Sequence, residues 1–261
     1  MSEAPKLNSQ ENGPSTQELL AVLPAGTVPA RLNEVTSTER ELILKQWKTF
    51  LRIASLPVPE NQLLKRRERG EPELVEGTLI HGIRTWSRDI IESVARVGIV
   101  SGEMVGVHED NETHFCADFF RIPSATSIAQ YVNWYETTSV KTPGGLTMKV
   151  PEANFLPRSL GRTTKRLAFI VDTPPPELQP LLAYDAYQNA DIQKITRNLV
   201  EENSETRSRV SAIVCGIPSN FLSGILITSA LENDKEDLAY IRALFGERMP
   251  IFNIKGELVP V

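Results

Sequence analysis

Apolar positions along the chain fall into short runs and periodic faces, separated by breaks rich in proline and glycine. Ile43, Trp47, Phe50, Leu51 and Ala54 recur at helical spacing and make one apolar face. Thr38, three residues ahead of Glu41, resembles a capping box, so a helix is predicted from there until Pro57 and Pro59 end it. A basic stretch, Lys65, Arg66, Arg67 and Arg69, leads on to Gly70 and Pro72. From residue 78 the pattern changes: residues 78–83 read as a short buried strand, and Ile90, Ile91, Val94 and Ala95 as an amphipathic helix with Gly98 at its C′ position. Further strands are predicted over residues 113–120, 167–171, 210–214, 225–228 and 250–254. Further helices are predicted from about residue 124 to 135, over 188–207, and from Asp234, with Leu238, Ile241, Leu244 and Phe245 inward and Gly246 at the end. Residues 137–166, with Pro143, Gly144, Gly145, Pro151, Pro157 and Gly161, read as a long irregular excursion.

Helices and strands interleave irregularly, with too few helices between strands for a doubly wound parallel sheet. The expected class is α+β, with a split antiparallel or mixed β core and flanking helices. Residues 1–35 are rich in Pro, Ser, Asn, Gln and Glu and read as a disordered tail. Residues 36–75 read as an N-terminal helical segment, packing through Trp47 and Phe50 on a domain of residues 76–261.

Composition narrows the functional classes. The chain has 261 residues, 41% apolar and 23% charged, with a formal net charge of −5, which suits a folded protein and argues against a nucleic-acid or anionic-membrane coat. No apolar run reaches the roughly 18–20 residues needed to span a bilayer. The opening Met-Ser-Glu-Ala-Pro lacks the basic start and apolar stretch of a secretory signal, so a cytoplasmic protein without membrane contact is expected. Cys116 and Cys215 are the only cysteines; each reads as a small core residue.

The common catalytic signatures are missing: no Walker loop, no Gly-x-Gly-x-x-Gly after a strand, no Gly-x-Ser-x-Gly elbow. His108 and His114 flank the acidic residues Glu109, Asp110 and Glu112, but their spacing matches no helical ligand pair, and no metal is expected. Arg158, Arg162, Lys165 and Arg166, together with Lys65–Arg69, form either a local phosphate-binding surface or a solvated face.

His81 is the informative histidine. Leu79-Ile80-His81-Gly82, then a helix, then Gly98-Ile99, resembles the opening of the ADP-ribosyltransferase superfamily. Residues 113–120, Thr-His-Phe-Cys-Ala-Asp-Phe-Phe, resemble its second block, and Ser127-Ile128-Ala129-Gln130-Tyr131 is similar to the segment bearing a nicotinamide-stacking tyrosine in the poly(ADP-ribose) polymerase branch. Residues 217–225 and the run from Leu244 to Gly256 resemble the late turn, strand and closing helix of bacterial toxins and RNA 2′-phosphotransferases. The resemblance covers residues 76–256. It implies an α+β fold, NAD as substrate, and transfer of ADP-ribose to an acceptor that is a protein, a nucleic acid or a small molecule. It implies that His81, Gly82, Phe115 and Tyr131 bind NAD, with Tyr135 as a second choice for the stacking ring. His81 and Tyr131 are then expected to line one cleft.

One departure bears on catalysis. The superfamily's glutamate precedes the Ile-Pro turn by a few residues, but the strand here, Arg209-Val210-Ser211-Ala212-Ile213-Val214-Cys215, has no acid. Glu205 is the nearest upstream candidate for the third catalytic position beside His81 and Tyr131. Without such a carboxylate the alternative is an inactive module of the same fold that binds a nucleotide or a protein; a structural protein with a chance resemblance is a third reading.

Overall fold

The first helix, α1 (Ser37–Ala54), forms because its apolar residues fall on one stripe. Trp47, Phe50 and Ile53 are buried along it, and the Trp47 and Phe50 rings stack at 4.8 Å. The chain turns out of the helix at Ser55 and Leu56, ahead of Pro57. A second helix, α2 (Gln62–Glu68), begins where the Asn61 side-chain oxygen accepts the Leu63 N–H at 3.1 Å, satisfying one of the free donors of the first turn. The computed structural model describes residues 37–83, 86–100, 116–122, 124–137, 139–141, 147–149, 164–172, 210–214 and 216–260.

The remaining elements follow in order: β1 (Leu79–Ile83), α3 (Arg88–Arg96), β2 (Gly98–Val100), β3 (Cys116–Arg121), α4 (Ile128–Thr137), β4 (Ser139–Lys141), β5 (Thr147–Lys149), β6 (Leu167–Val171) and β7 (Val210–Val214). After them come β8 (Gly216–Pro218), a single 3₁₀ turn (Ser219–Phe221), β9 (Gly224–Ile227), α5 (Ser229–Glu232), α6 (Lys235–Phe245) and β10 (Ile251–Asn253). Six strands make one mixed sheet in the order β10-β9-β6-β1-β3-β7, and β2-β8 and β4-β5 are separate two-stranded ribbons. Within the six, β9 and β10 are parallel and the other neighbours antiparallel.

Side-chain alternation gives this sheet two buried faces. Leu79, Phe119, Phe169 and Ile225 face the layer of α1, α3 and α6, where Trp47, Phe50, Ile91 and Phe245 pack. Ile80, Phe120, Ile170 and Leu226 face the opposite layer, with Leu63 of α2 and Ile128, Tyr131 and Val132 of α4. This explains why β6 and β9 are continuous apolar runs, buried at every position.

At the β10 edge the chain folds back on itself. Asn253 N–H donates to Glu257 O and Val259 N–H to Ile251 O, both at 2.9 Å, with Leu258 bridging to Phe252. The returning segment therefore occupies the outer hydrogen-bonding groups of this strand.

The α+β class and the mixed sheet match the reading of the sequence, and Trp47 and Phe50 pack into the sheet's core as expected. The strands join in one six-stranded sheet plus ribbons rather than two small sheets. Helix α2, strands β2 and β8 and the β4-β5 hairpin are additions; the hairpin interrupts the stretch expected to be irregular. The helix expected from residue 124 starts at Ile128, because Thr126 is held in a bridge to Leu74. The disordered reading of residues 1–35 and the helix expected over residues 188–207 lie outside the described residues.

Candidate functional site

Strand β1 is five residues long and pairs with β6 over its whole length, from Leu79↔Val171 to Ile83↔Leu167. On its other side it pairs with β3 at two positions only, Leu79↔Arg121 and Ile80↔Phe120. Strand β3 meanwhile pairs with β7 over five positions, from Phe120↔Val210 back to Cys116↔Val214. The ladder between β1 and β3 thus stops at Ile80, and each strand continues with its other neighbour. The result is a fork, with His81, Gly82 and Ile83 on one arm and Ala117, Asp118 and Phe119 on the other.

His81 is half-buried on the α1/α3/α6 face of the sheet, its ring centroid 5.2 Å from that of Phe119. Phe169 lies opposite it on β6. Gly82 is buried beside Ala168, so two of the smallest residues stand side by side where the fork opens. Beyond the fork, α3 ends at Val97, and Gly98 takes the C′ position predicted for it, with φ +119°. That conformation brings β2 against β8: a side chain on Gly98 would meet Ile217 O at 2.2 Å, and one on Gly216 would meet Ile99 O at 1.8 Å.

A charged network stands at the same end of the sheet. Arg88, the first residue of α3, donates to Asp237 through Nε and Nη2 at 3.0 and 2.8 Å and to Glu236 at 2.6 Å. Lys165, two residues before β6, donates to Asp234 at 2.6 Å and Asp237 at 2.8 Å. Asp234 is also the N-cap of α6, accepting the Asp237 N–H. Burial pushes the Asp237 carboxyl up, but Lys165 and Arg88 outweigh it and hold the group below the ordinary carboxylate range. The Lys165 bond and the Asp237 N–H lower Asp234 likewise, and bonds to Asp234 and Asp237 raise Lys165.

The basic stretch of α2 is not a single-sign surface. Lys65 pairs with Glu60, Arg66 with Asp172, Arg67 with Glu73 and Arg69 with Glu71. Lys165 of the second basic cluster is paired as above; Arg158 and Arg162 lie outside the described residues.

Tyr131 does not join His81. Its ring packs 5.7 Å from Phe120, and Phe120 and Phe119 point to opposite faces of β3. Tyr131 is therefore 2% exposed in the α2/α4 layer while His81 stands on the other side of the sheet. The expected shared cleft is corrected by this register: α4 packs on the even-numbered face of β1 and β3, and His81 is on the odd-numbered one. Tyr135 lies on the same helix, and its side chain, with Phe115, Glu205, His108, His114 and Cys215, is outside the described residues. On β7 the backbone register sets Ser211 opposite Phe119 and Ile213 opposite Ala117, with no acid along the strand. No protein-family model, curated protein or solved structure matches the chain.

Proposed function

We propose that the fork between β1 and β3 receives the nicotinamide-ribose end of NAD, and that the chain is an ADP-ribosyltransferase-like protein that passes ADP-ribose to a protein or nucleic-acid acceptor. The observation supporting this reading is the early end of the β1–β3 ladder beside His81 and Gly82. His81 is half-buried, and an imidazole ring nitrogen is suited to a ribose hydroxyl. Gly82 has no side chain to hold a carboxamide away from the backbone. Tyr131 is left out of the role first expected of it, since a ring buried on the far face cannot stack on a ligand in the fork. Positive charge developing on the ribose carbon needs a fixed carboxylate, and Glu205 is the candidate for it.

The second reading is a module that binds NAD without transferring ADP-ribose. The acid-free strand Val210–Val214, the neighbour of β3, favours it. Two measurements on the full chain decide between them: NAD binding by calorimetry and nicotinamide release over time. His81→Ala is expected to weaken NAD binding itself. Glu205→Gln is expected to abolish nicotinamide release with little change in affinity, the pattern of an interaction made in the transition state. Binding without release in the unmodified protein selects the second reading, and absence of NAD binding removes both.

A further inference from the structure

A cavity of about 530 Å³ opens at the end of the sheet away from the fork. Val171 and Asp172 form its β6 side, and the rest comes from the loop before α2, the turn after β8 and the residues after α6. Val171 lies four residues along β6 from Leu167, the partner of Ile83, which separates the two places by about 13 Å along the strand. The cavity is thus a place distinct from the fork.

Several polar groups of the wall are fully engaged. Glu60 is taken by Lys65 and Gln62. Asn61 caps Leu63 and donates to Ser223 O and Arg248 O, and Ser223 Oγ accepts the Asp172 N–H. Asn220, Arg66, Glu247 and Arg248 keep polar capacity. Asn220 is 9% exposed and donates through Nδ2 to Ile53 O and Leu56 O at 3.2 and 3.0 Å. Those two bonds fix which end of the amide is which, and they leave Oδ1 buried without a donor. Arg66, with 11% of its side chain exposed, donates from Nε to Glu73 O and from Nη2 to Asp172, which leaves Nη1 over. Glu247 and Arg248 are exposed, and among the described residues neither side chain has a polar partner.

The cavity therefore presents guanidinium donors of Arg66 and Arg248 and the carboxylate of Glu247, beside the apolar surfaces of Val58, Leu64, Phe221 and Leu222. A ligand complementary to all of these carries an anion and a cation close together, with an apolar body. We infer that the cavity binds a small zwitterion of the class of free apolar α-amino acids. Its carboxylate lies on Arg248 and the remaining Arg66 donors, the geometry guanidinium groups suit. Its ammonium faces Glu247, and its side chain lies against Phe221 and Leu222. The volume is within the range of small-molecule pockets.

The test is calorimetric titration of the full chain with L-leucine and L-phenylalanine, beside N-acetyl-leucine, which lacks the ammonium, and leucinamide, which lacks the carboxylate. Both free amino acids are expected to bind, and each blocked form to bind at least about tenfold more weakly, as loss of a charge-assisted bond implies. Arg248→Ala is expected to remove the preference for leucine over leucinamide, and Glu247→Gln the preference over N-acetyl-leucine. Both side chains are exposed and have no polar partner among the described residues, so the melting temperature of either variant is expected to stay at that of the unmodified protein, which separates lost binding from lost folding. No binding of leucine or phenylalanine at about 10 mM, weaker than any useful site, overturns the inference; so does a blocked form that binds as well as leucine. A separate NAD titration reads the fork independently.

Discussion

Asp237 shows how much one side chain can organise. It is 4% exposed and accepts from both Arg88 and Lys165, joining the start of α3, the approach to β6 and the first turn of α6. Asp237→Ala removes the carboxylate that Arg88 and Lys165 share, leaving Arg88 with Glu236 and Lys165 with Asp234, and is expected to cost about 1–3 kcal/mol in urea unfolding. The sign of the pH effect comes from the direction of the shifts. Asp234 and Asp237 are held below their ordinary values in the fold, so their contribution is complete above the unfolded carboxylate pKa and is lost as pH falls through the lowered ones. Unfolding midpoints measured from neutral pH downward should decline below about pH 4, and less steeply in the Asp237→Asn variant. Residue type and local spacing made His81 and the Asp234 cap visible in the sequence. Arg88 and Lys165 could not be matched to Asp237, because their partner lies 149 and 72 positions away along the chain.

Elements show the same division between local and distant information. The strand over residues 167–171 and the helix opened by Asp234 were legible because continuous burial and a capped amphipathic face leave local marks. Helix α2 leaves little local mark because Leu63 is its one fully buried residue and four of its seven residues are charged. Its stability comes from partners elsewhere: Arg66 reaches Asp172, and Arg67 reaches Glu73 and Gly256 O. Glu73 in turn accepts the Ile128 N–H at the start of α4, so one buried carboxylate ties α2 to α4. Glu73→Ala is expected to lower stability by about 1–3 kcal/mol, read as a shift in the denaturant midpoint. The β2-β8 ribbon depends on backbone shape instead. Gly216→Ala puts a methyl into Ile99 O at a φ of +112° and is expected to cost about 2–4 kcal/mol, with loss of hydrogen-exchange protection in residues 98–100.

At the scale of the molecule, the sheet decides which side chains meet. Sequence alternation separates Leu79 and His81 from Ile80 and Gly82, but it does not say which helix covers which side. That is why a histidine and a tyrosine assigned to one ligand proved to be divided by the thickness of the sheet. The fork was equally hidden, since it depends on where pairing stops rather than on any residue type. Phe50→Ala, in the layer that includes His81's face, is expected to cost about 3–5 kcal/mol and to lower the melting temperature of the whole sheet, because α1 and the strands share one packed core.

The segment that returns along β10 has a consequence for how molecules meet one another. While Glu257 and Val259 hold the outer N–H and C=O groups of β10, that margin has no template to offer a neighbouring chain. A chain cut after Gly256 keeps all six strands yet uncovers Asn253 N–H and Ile251 O on a short, apolar ribbon. The expected outcome is concentration-dependent oligomers in light scattering under conditions where the full chain stays monodisperse. The residues that double back along β10 are thus expected to serve as a stop signal for self-assembly.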